Sequence, residues 1–443
     1  MKKLLLLVFP AGALLAILFW YNDCVNAPVG SLFSDQAGLL IAFGRLAGII
    51  GALGVMSQLL LISRARWLEP LFGLDRLTRF HHLNGLIIPF ALLVHPPLVV
   101  WSHALQTGDG FLVQLLAVLK WDDILAAATG AMLILTAVLL SLPYFRRSLD
   151  YEAWHSVHLG AYAGLALVIG HQLELGGDLA AEVRYFAWTW YALLAFTWGT
   201  VLWYRLLRPL WLYRRHGFTV DRLVMETPDV MSVYLKGKGL ETFTVEPGQF
   251  ALLRFWAPGF KLQAHPFSFS RAADGKELRF SIKNVGDFTG KLHAELKAGT
   301  PVIIDGPHGV FTAARMRTDK ALLVAGGIGI TPLRALAEQL AARKIDTVLV
   351  FSNKGRKDMA FEKELAGLEK TGAFRTVHVL SAEQDWPGEK GRVDAERLKR
   401  LVPDFAARDA FLCGPPPMMA ALNAGLCALG LPKKQVHFEL FSL

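Results

Sequence analysis

Cysteine is almost missing from this chain: three residues in 443, Cys24, Cys413 and Cys427. Only Cys24 falls in a stretch expected outside the cell, which excludes a disulfide framework. Charge is thin as well, at 19% of residues against 53% hydrophobic, and the apolar residues crowd into the first half. Neither an internal repeat nor a low-complexity tract occurs, so repeat arrays are excluded. The opening "MKKLLLLVFPAGALLAILFW" has no small-residue cleavage site behind it, and reads as a retained first helix rather than a removed signal peptide.

The hydrophobic excess is organised into six runs of membrane-spanning length, at roughly 4–20, 37–62, 82–101, 123–142, 155–173 and 185–206. About 20 apolar residues are needed because the hydrocarbon core is about 30 Å thick. The connecting segments alternate in charge. One set holds Lys2, Lys3, Arg64, Arg66, Arg76, Arg79, Arg146, Arg147, Arg208, Arg214 and Arg215. The other holds Asp23, Asp35, Asp109, Asp122, Asp123, Glu174 and Asp178 against Lys120 and Arg184. The positive-inside rule then puts both termini in the cytoplasm of a multi-pass protein of the cell (inner) membrane, with the lipid bilayer as its first partner. The net charge of +9 is mostly this topology, and no nucleic acid need be invoked.

Past "RPLWLYRRHG" the sequence becomes that of a soluble protein. Short β-type runs ("RLVMETP", "VYLKG", "FALLRFW", "ELRFSIKN", "PVIIDGPHG") separated by turn signals predict a small antiparallel β-barrel over 217–315. From about 319, strands alternate with helices, as in "ALLVAGG" then "TPLRALAEQLAARK", which predicts a parallel sheet covered by helices. The expected fold is a multi-domain membrane protein. It comprises a six-helix transmembrane bundle (1–210), the antiparallel β-barrel (217–315) and an α/β parallel-sheet nucleotide-binding domain (316–443).

In "LLVAGGIGITPLRAL" a strand ends at Ala325, and Gly326, Gly327 and Gly329 let the backbone approach a ligand closely. Thr331 suits an N-cap and Pro332 the first helical position, so the helix start is a ready pyrophosphate site. An ordinary tight strand–helix turn would look the same. "HPFSFS" (265–270) and "FLCGPPPMM" (411–419) flank it, with "GDFTGKL" and "DGPHGVF" between the first and the glycine turn. In that order these motifs resemble the ferredoxin–NADP reductase family from about 217 onward. The resemblance implies an FAD-binding barrel followed by an NAD(P)H domain. It assigns His265, Pro266, Phe267, Ser268 and Ser270 to the flavin site, with Ser268 near the reactive nitrogen. Gly286 and Thr289 would meet the FAD pyrophosphate. Cys413, Gly414 and Pro415 would lie beside the nicotinamide, and Phe441 would cover the flavin ring. Cys413 reads equally as a buried strand-end cysteine, and Arg271 departs from the small residue common in the membrane members. Lys354, Arg356 and Lys357 sit where a 2′-phosphate would bind, which leans toward NADPH over NADH; a solvated loop would look alike.

Burying an unpaired polar group costs roughly 2–7 kcal/mol, so histidines within spans need a reason. In "RFHHLNGLIIPFALLVH", His81 and His95 lie about 21 Å apart along a helix, and differ by about 40° in direction. His82 and His95 would diverge by about 140°. In "YEAWHSVHLGAYAGLALVIGH", His158 and His171 have a matching separation of about 20 Å but a phase difference of about 140°, for which unwinding near Gly160, Gly164 or Gly170 would be needed. Two pairs at matched heights suit two bis-histidine haems; interhelical hydrogen bonding would account for one pair more easily than two. The pattern resembles the ferric reductase and NADPH oxidase (NOX) transmembrane family. That resemblance implies that His81 pairs with His158 at an inner b-type haem and His95 with His171 at an outer one, with His82 and His155 in flanking basic positions. Arg45 would sit by the outer haem, unless it is a snorkelling interfacial arginine.

The expected activity is transfer of electrons from cytosolic NAD(P)H through FAD and two haems to an acceptor on the outer face, a ferric chelate or dioxygen. Val99 stands where superoxide-producing members carry a further histidine, which mildly disfavours a dedicated superoxide generator. An extracytoplasmic redox protein as acceptor, a membrane-anchored flavin reductase without haem, and a receptor or transporter with a flavin domain are the alternatives.

Overall fold

A computed structural model describes residues 2–27, 30–174, 184–261 and 263–438. Asp178 and Phe441 lie outside the described residues. The chain divides into two compact units, Met1–Leu68 with Arg76–Leu202, and Glu69–Asp75 with Trp203–Leu443.

The first unit is helical. Its long helices are α1 (Lys2–Val25) and α2 (Gln36–Ile62), then, after the short α3 (Glu69–Phe72) of the other unit, α4 (Leu74–Thr107). There follow α5 (Phe111–Val118), α6 (Ile124–Leu139), α7 (Pro143–Arg146), α8 (Tyr151–Glu174) and α9 (Arg184–Leu202). Among the described residues, Leu5–Val25, Gln36–Ile62 and Leu74–Thr107 are long and apolar enough to cross a membrane, and Ile124–Leu139 is apolar but shorter. Asp35 starts α2 by accepting the Gly38 amide at 2.6 Å, which satisfies one of the unpaired first-turn donors. Glycine brings α6 and α8 into backbone contact: a Cβ on Gly130 would stand 2.5 Å from the Gly164 carbonyl oxygen. Ala16, Trp20, Ile49, Leu53, Phe186, Trp190 and Leu193 join α1, α2 and α9 in one core.

In the second unit, α10 (Arg208–His216) leads into β1 (Thr219–Thr227), β2 (Val230–Lys236), β3 (Phe250–Phe255), β4 (His265–Ser268), β5 (Leu278–Lys283), α11 (Asp287–Glu295) and β6 (Val302–His308). The strands form two antiparallel sheets, ordered β1-β2-β5 and β4-β3-β6, with isolated bridges Thr219–Pro301 and Phe269–Phe280. Phe218, Phe255, Phe260, Phe269 and Phe280 fill the core they share. Beyond them come β7 (Lys320–Gly326), α12 (Ile330–Ala342), β8 (Asp346–Asn353), α13 (Glu362–Glu369), β9 (Phe374–Leu380) and β10 (Glu389–Lys390). The chain continues through α14 (Ala395–Leu401), β11 (Asp409–Cys413), α15 (Pro416–Ala428) and β12 (Val436–Phe438). These six strands are all parallel, in the order β10-β9-β8-β7-β11-β12. Strand order reverses between β7 and β11, and an open α/β sheet binds ligands at the carboxyl ends of the strands at such a switch point. The glycine turn and the "CGPP" stretch both end there.

Candidate functional site

In the helical unit, α4 and α8 bring the four histidines together in two pairs. Ring centres are 6.1 Å apart for His81 and His158, and 6.2 Å apart for His95 and His171. Two imidazoles on opposite sides of one metal ion, each bonded at about 2 Å through nitrogen, have ring centres roughly 6 Å apart, so both gaps fit an iron between the rings. No group of three or more His, Cys, Asp or Glu side chains suited to a metal ion occurs among the described residues.

The neighbours of the rings fix which nitrogen carries the proton. His95 Nδ1 lies 2.8 Å from the Gly44 carbonyl oxygen, and His81 Nδ1 lies 3.4 Å from that of Gln58. A carbonyl only accepts, so each Nδ1 carries the proton and each Nε2 keeps its lone pair for a metal. Gly44 and Gln58 are spaced along α2 as His81 and His95 are along α4, so one helix orients both ligands. Gly48 makes room, since a Cβ there would stand 3.0 Å from His95 Nδ1. Ser141 Oγ donates to the Ala137 carbonyl at 2.6 Å and accepts from Trp154 Nε1 at 3.1 Å. It therefore also accepts from His158 Nδ1, 3.2 Å away, which gives His158 the same tautomer. His171 Nδ1 is buried without a hydrogen-bond partner.

His82 and His155 are exposed, outside the two pairs. Helix α8 runs unbroken through Gly160, Gly164 and Gly170, so the unwinding that ideal phase arithmetic called for does not occur. In α4, Pro89 interrupts the amide ladder between His81 and His95, and ideal phase does not carry across such a residue. Arg45 ion-pairs with Asp23 at the end of α1.

In the second unit, β4 and α11 meet where His265 stacks on Phe288 at 3.7 Å between ring centres. Burial holds the His265 imidazole below its ordinary pKa, so it is neutral at pH 7. Pro266 and Phe267 follow it along β4, paired with Leu252 and Ala251. Ser268 Oγ is buried and has no hydrogen-bond partner. An orphaned hydroxyl of this kind is what a missing polar ligand leaves behind, and it lies on the motif assigned to the flavin. Gly286 precedes α11, and Thr289 Oγ1 accepts the amides of Val285 and Gly286 at 3.0 and 3.1 Å. The remaining first-turn amides point out of the helix start, as an anion site requires. Thr289→Ala removes this cap; we expect a loss of about 1 kcal/mol of local stability and roughly five-fold weaker FAD retention, read from flavin fluorescence release.

The glycine turn and the "CGPP" stretch are in backbone contact. A Cβ on Gly329 would stand 2.1 Å from the Cys413 carbonyl oxygen, and one on Gly326 would meet Met418 and Pro415 below 3 Å. Gly327 has φ +52°, open to glycine at little cost. Helix α12 begins at Ile330 behind a short 3₁₀ turn, Gly327–Gly329, so Thr331 and Pro332 lie inside its first turn rather than at its cap. Proline is tolerated there because first-turn amides have no intrahelical partner. Cys413 is fully buried at the end of β11, opposite Ala325 of β7, with Gly414 and Pro415 leading into α15. All three basic residues after β8, Lys354, Arg356 and Lys357, are exposed. Arg356 lies over the Trp386 ring at 5.3 Å, with Glu383 and Asp385 within 3.8 Å.

Sequence reasoning missed the partners of these residues: Gln58, Ser141 and Trp154 around the histidines, and the Arg279–Glu364 pair beside Ser270. The only trace of the first group was polar side chains within apolar runs.

Three families match the chain: the ferric reductase like transmembrane component over residues 47–169, the FAD-binding domain over 215–312, and the oxidoreductase NAD-binding domain over 323–424. Flavohemoprotein A of Dictyostelium discoideum is 29% identical over 244 residues, covering 51% of this chain and 59% of that protein. The glycine betaine monooxygenase reductase subunit of Pseudomonas aeruginosa is 28% identical over 239 residues, covering 52% of this chain and 65% of that one. The chain thus spans less than two thirds of the length of these curated relatives. Among solved structures, the flavohem-like FAD/NAD binding domain of a Vibrio cholerae nitric oxide dioxygenase is 25% identical, with a TM-score of 0.46 over 50% of this chain and 96% of that one. The chain thus carries a ferric reductase like transmembrane component ahead of FAD- and NAD-binding domains, an order that matches the ferric reductase and NADPH oxidase family of membrane flavoproteins.

Proposed function

We propose that this protein moves electrons from cytosolic NAD(P)H across the membrane to an acceptor on the outer face, using FAD and two bis-histidine b-type haems. In this reading α1, α2, α4, α6, α8 and α9 are six spans (1–210), the two bridged sheets form the flavin barrel (217–315), and the parallel sheet binds the nucleotide (316–443). One observation carries it: two histidine pairs of equal gap, with three of the four rings held as the Nδ1–H tautomer by carbonyls and a serine outside the gap. Satisfying buried histidines by hydrogen bonds alone would not require their rings to stand about 6 Å apart twice, at the same gap.

When bound, the flavin accepts two electrons together and the haems carry them singly. The chain's residues do the positioning. His81 with His158, and His95 with His171, would hold one haem per pair. Ser268 would hydrogen-bond the flavin, the amides at the start of α11 would hold its pyrophosphate, and Gly326 to Gly329 with Cys413 to Pro415 would cradle the nicotinamide nucleotide. Arg45, ion-paired with Asp23, keeps a half-buried cation near the outer end of α2, where an anionic propionate or chelate would be drawn. Ferric chelate and dioxygen remain the acceptors this site fits.

The test is a reduced-minus-oxidised absorption spectrum of the purified full chain, with ferric-chelate and superoxide assays. A low-spin b-type haem signal at two haems per chain is expected. A flavin signal without haem would reduce the protein to a membrane-anchored flavin reductase.

A further inference from the structure

Where the two lobes of the second unit meet, two buried arginines are packed against two part-exposed carboxylates. Arg279 of β5, the largest fully buried side chain among the described residues, donates from Nη1 and Nη2 to both oxygens of Glu364 on α13, at 2.7 and 3.1 Å. Arg334 of α12 reaches the same carboxylate at 2.6 Å and Glu338 at 2.5 Å. On the other side these groups grip the end of the flavin motif. Arg279 donates to Ser270 Oγ at 3.1 Å and to the Ser270 carbonyl at 2.8 Å, while Glu338 accepts the Ala272 amide at 2.9 Å. Burial disfavours charge on Glu364, but the two guanidinium groups outweigh it and hold its carboxyl below the usual range.

Such a cluster is a poor way to gain stability, because apolar packing does as well without stripping water from charges. Its distinctive property is direction. A bidentate arginine–carboxylate pair fixes angle and distance, whereas apolar contact fixes neither. The elements it joins are the ones that carry the chemistry. Ser270 lies two residues beyond Ser268, and Arg334 lies one turn beyond the glycine turn, on the helix whose start faces Cys413. We infer that Arg279, Glu364 and Arg334 form an interlobe clamp that sets the distance between the flavin strand and the nicotinamide cradle, and so act as positioning residues for hydride transfer. The inference rests on the FAD and NAD(P)H reading above. With both cofactors bound, that step would break the C4–H bond of the dihydronicotinamide and form an N–H bond at the flavin's reactive nitrogen, the two electrons passing with the hydrogen, so that the nicotinamide is oxidised as the flavin is reduced. A displacement of about 1 Å between reacting atoms can cost about 10²-fold in rate.

The experiment uses the full chain in detergent, loaded with FAD and mixed rapidly with saturating NADPH. Glu364→Gln keeps the size of the side chain and removes its charge. It should slow flavin reduction by about 10- to 100-fold while KM moves less than about three-fold. FAD content and flavin absorption should match the wild type, and the isotope effect from nicotinamide deuterated at the transferred position should rise. Glu364→Asp, which keeps the charge one methylene short, should recover part of the rate. Unchanged reduction in Glu364→Gln overturns the clamp, and so does a rate loss that only follows lost FAD or raised KM. If Glu364→Gln is not recovered folded, Arg279→Lys, which keeps the cation but not the fork, decides by the same readouts. Wild-type protein that takes up no FAD, or is not reduced by NADPH or NADH, would instead overturn the functional reading itself.

Discussion

Replacing His81 with alanine should remove the inner haem from the purified protein, taking haem content from two per chain to one and abolishing electron flow to the outer acceptor. Replacing the adjacent His82 should leave both haems in place. The two residues differ in everything except sequence proximity. His82 is exposed, whereas His81 is held from α2 on two sides. Gln58 donates from Nε2 to the His81 carbonyl at 2.8 Å, and its own carbonyl faces His81 Nδ1. Asn84 then ties the Gln58 side chain to Ser57 and Gly54 through contacts of 2.8 to 2.9 Å. This shell fixes the ring's tautomer, with the proton on Nδ1 toward α2 and the lone pair left on Nε2. Loss of such an outer partner typically costs 10- to 100-fold in metal affinity, and loss of the ligand itself costs more. Ser141→Ala, which removes the acceptor of His158 Nδ1–H, should therefore loosen the inner haem without eliminating it. Haem content by pyridine haemochrome, together with the low-spin spectrum, reads all three variants. Haem retained in His81→Ala but lost in His82→Ala would reverse the register on which the ladder rests.

Apolar run length and the spacing of histidines, both displayed by the sequence, marked the two helices, while the choice of His81 and His158 as partners came from the family resemblance. The run expected at 37–62 is α2 almost to the residue, Gln36–Ile62. The third run, expected at 82–101, is a longer helix, Leu74–Thr107. Hydropathy marks only the lipid-matched part, and Arg76, Arg79 and His82 continue the helix into a polar region where they are at no disadvantage. What could not be read were the partners made of backbone. The Gly44 and Gln58 carbonyls leave no side-chain signature, and their role emerges only when α2 lies along α4. Arg279 and Glu364 were equally silent, being 85 residues apart in ordinary strand and helix contexts. Glu69 is the clearest case. In "RWLEPLFGLDR" it reads as one more solvated charge between two spans, yet it is 4% exposed and belongs to the compact unit of the flavin and nucleotide domains.

Raising the pH from about 6 toward 9 should release the Glu69–Asp75 segment from that unit, and Glu69→Gln should release it at all pH values. His308, fully buried at the end of β6, places Nδ1 3.1 Å from Glu69 and Nε2 3.0 Å from Asp305. Both carboxylates accept, so both ring nitrogens donate and the ring is an imidazolium. Burial alone would discharge it, but hydrogen bonds and charge from Asp305 and Glu69 prevail and raise its pKa above the ordinary 6.5. The Gly309 amide also donates to Glu69, and Arg315 donates to the Pro70 carbonyl at 2.8 Å, so the cation is the keystone of the docked segment. A raised folded pKa means that the stabilisation is complete below pH 6.5 and is lost as pH climbs through the folded value. Removing one partner of a buried ion pair typically costs about 3–5 kcal/mol, because the other charge is left uncompensated. Hydrogen exchange on a peptide spanning residues 69–75 should thus be slow at pH 6 and, after correction for the intrinsic pH dependence, faster at pH 9. Glu69→Gln should exchange fast at both. Equal protection at the two pH values would mean that His308 is neutral between its carboxylates. Because β6 pairs with β3, and β3 in turn places Phe250 opposite both His308 and Ser268, the same titration should reach the flavin strand. A shift in flavin absorption over that pH range, absent in Glu69→Gln, is the signature to expect.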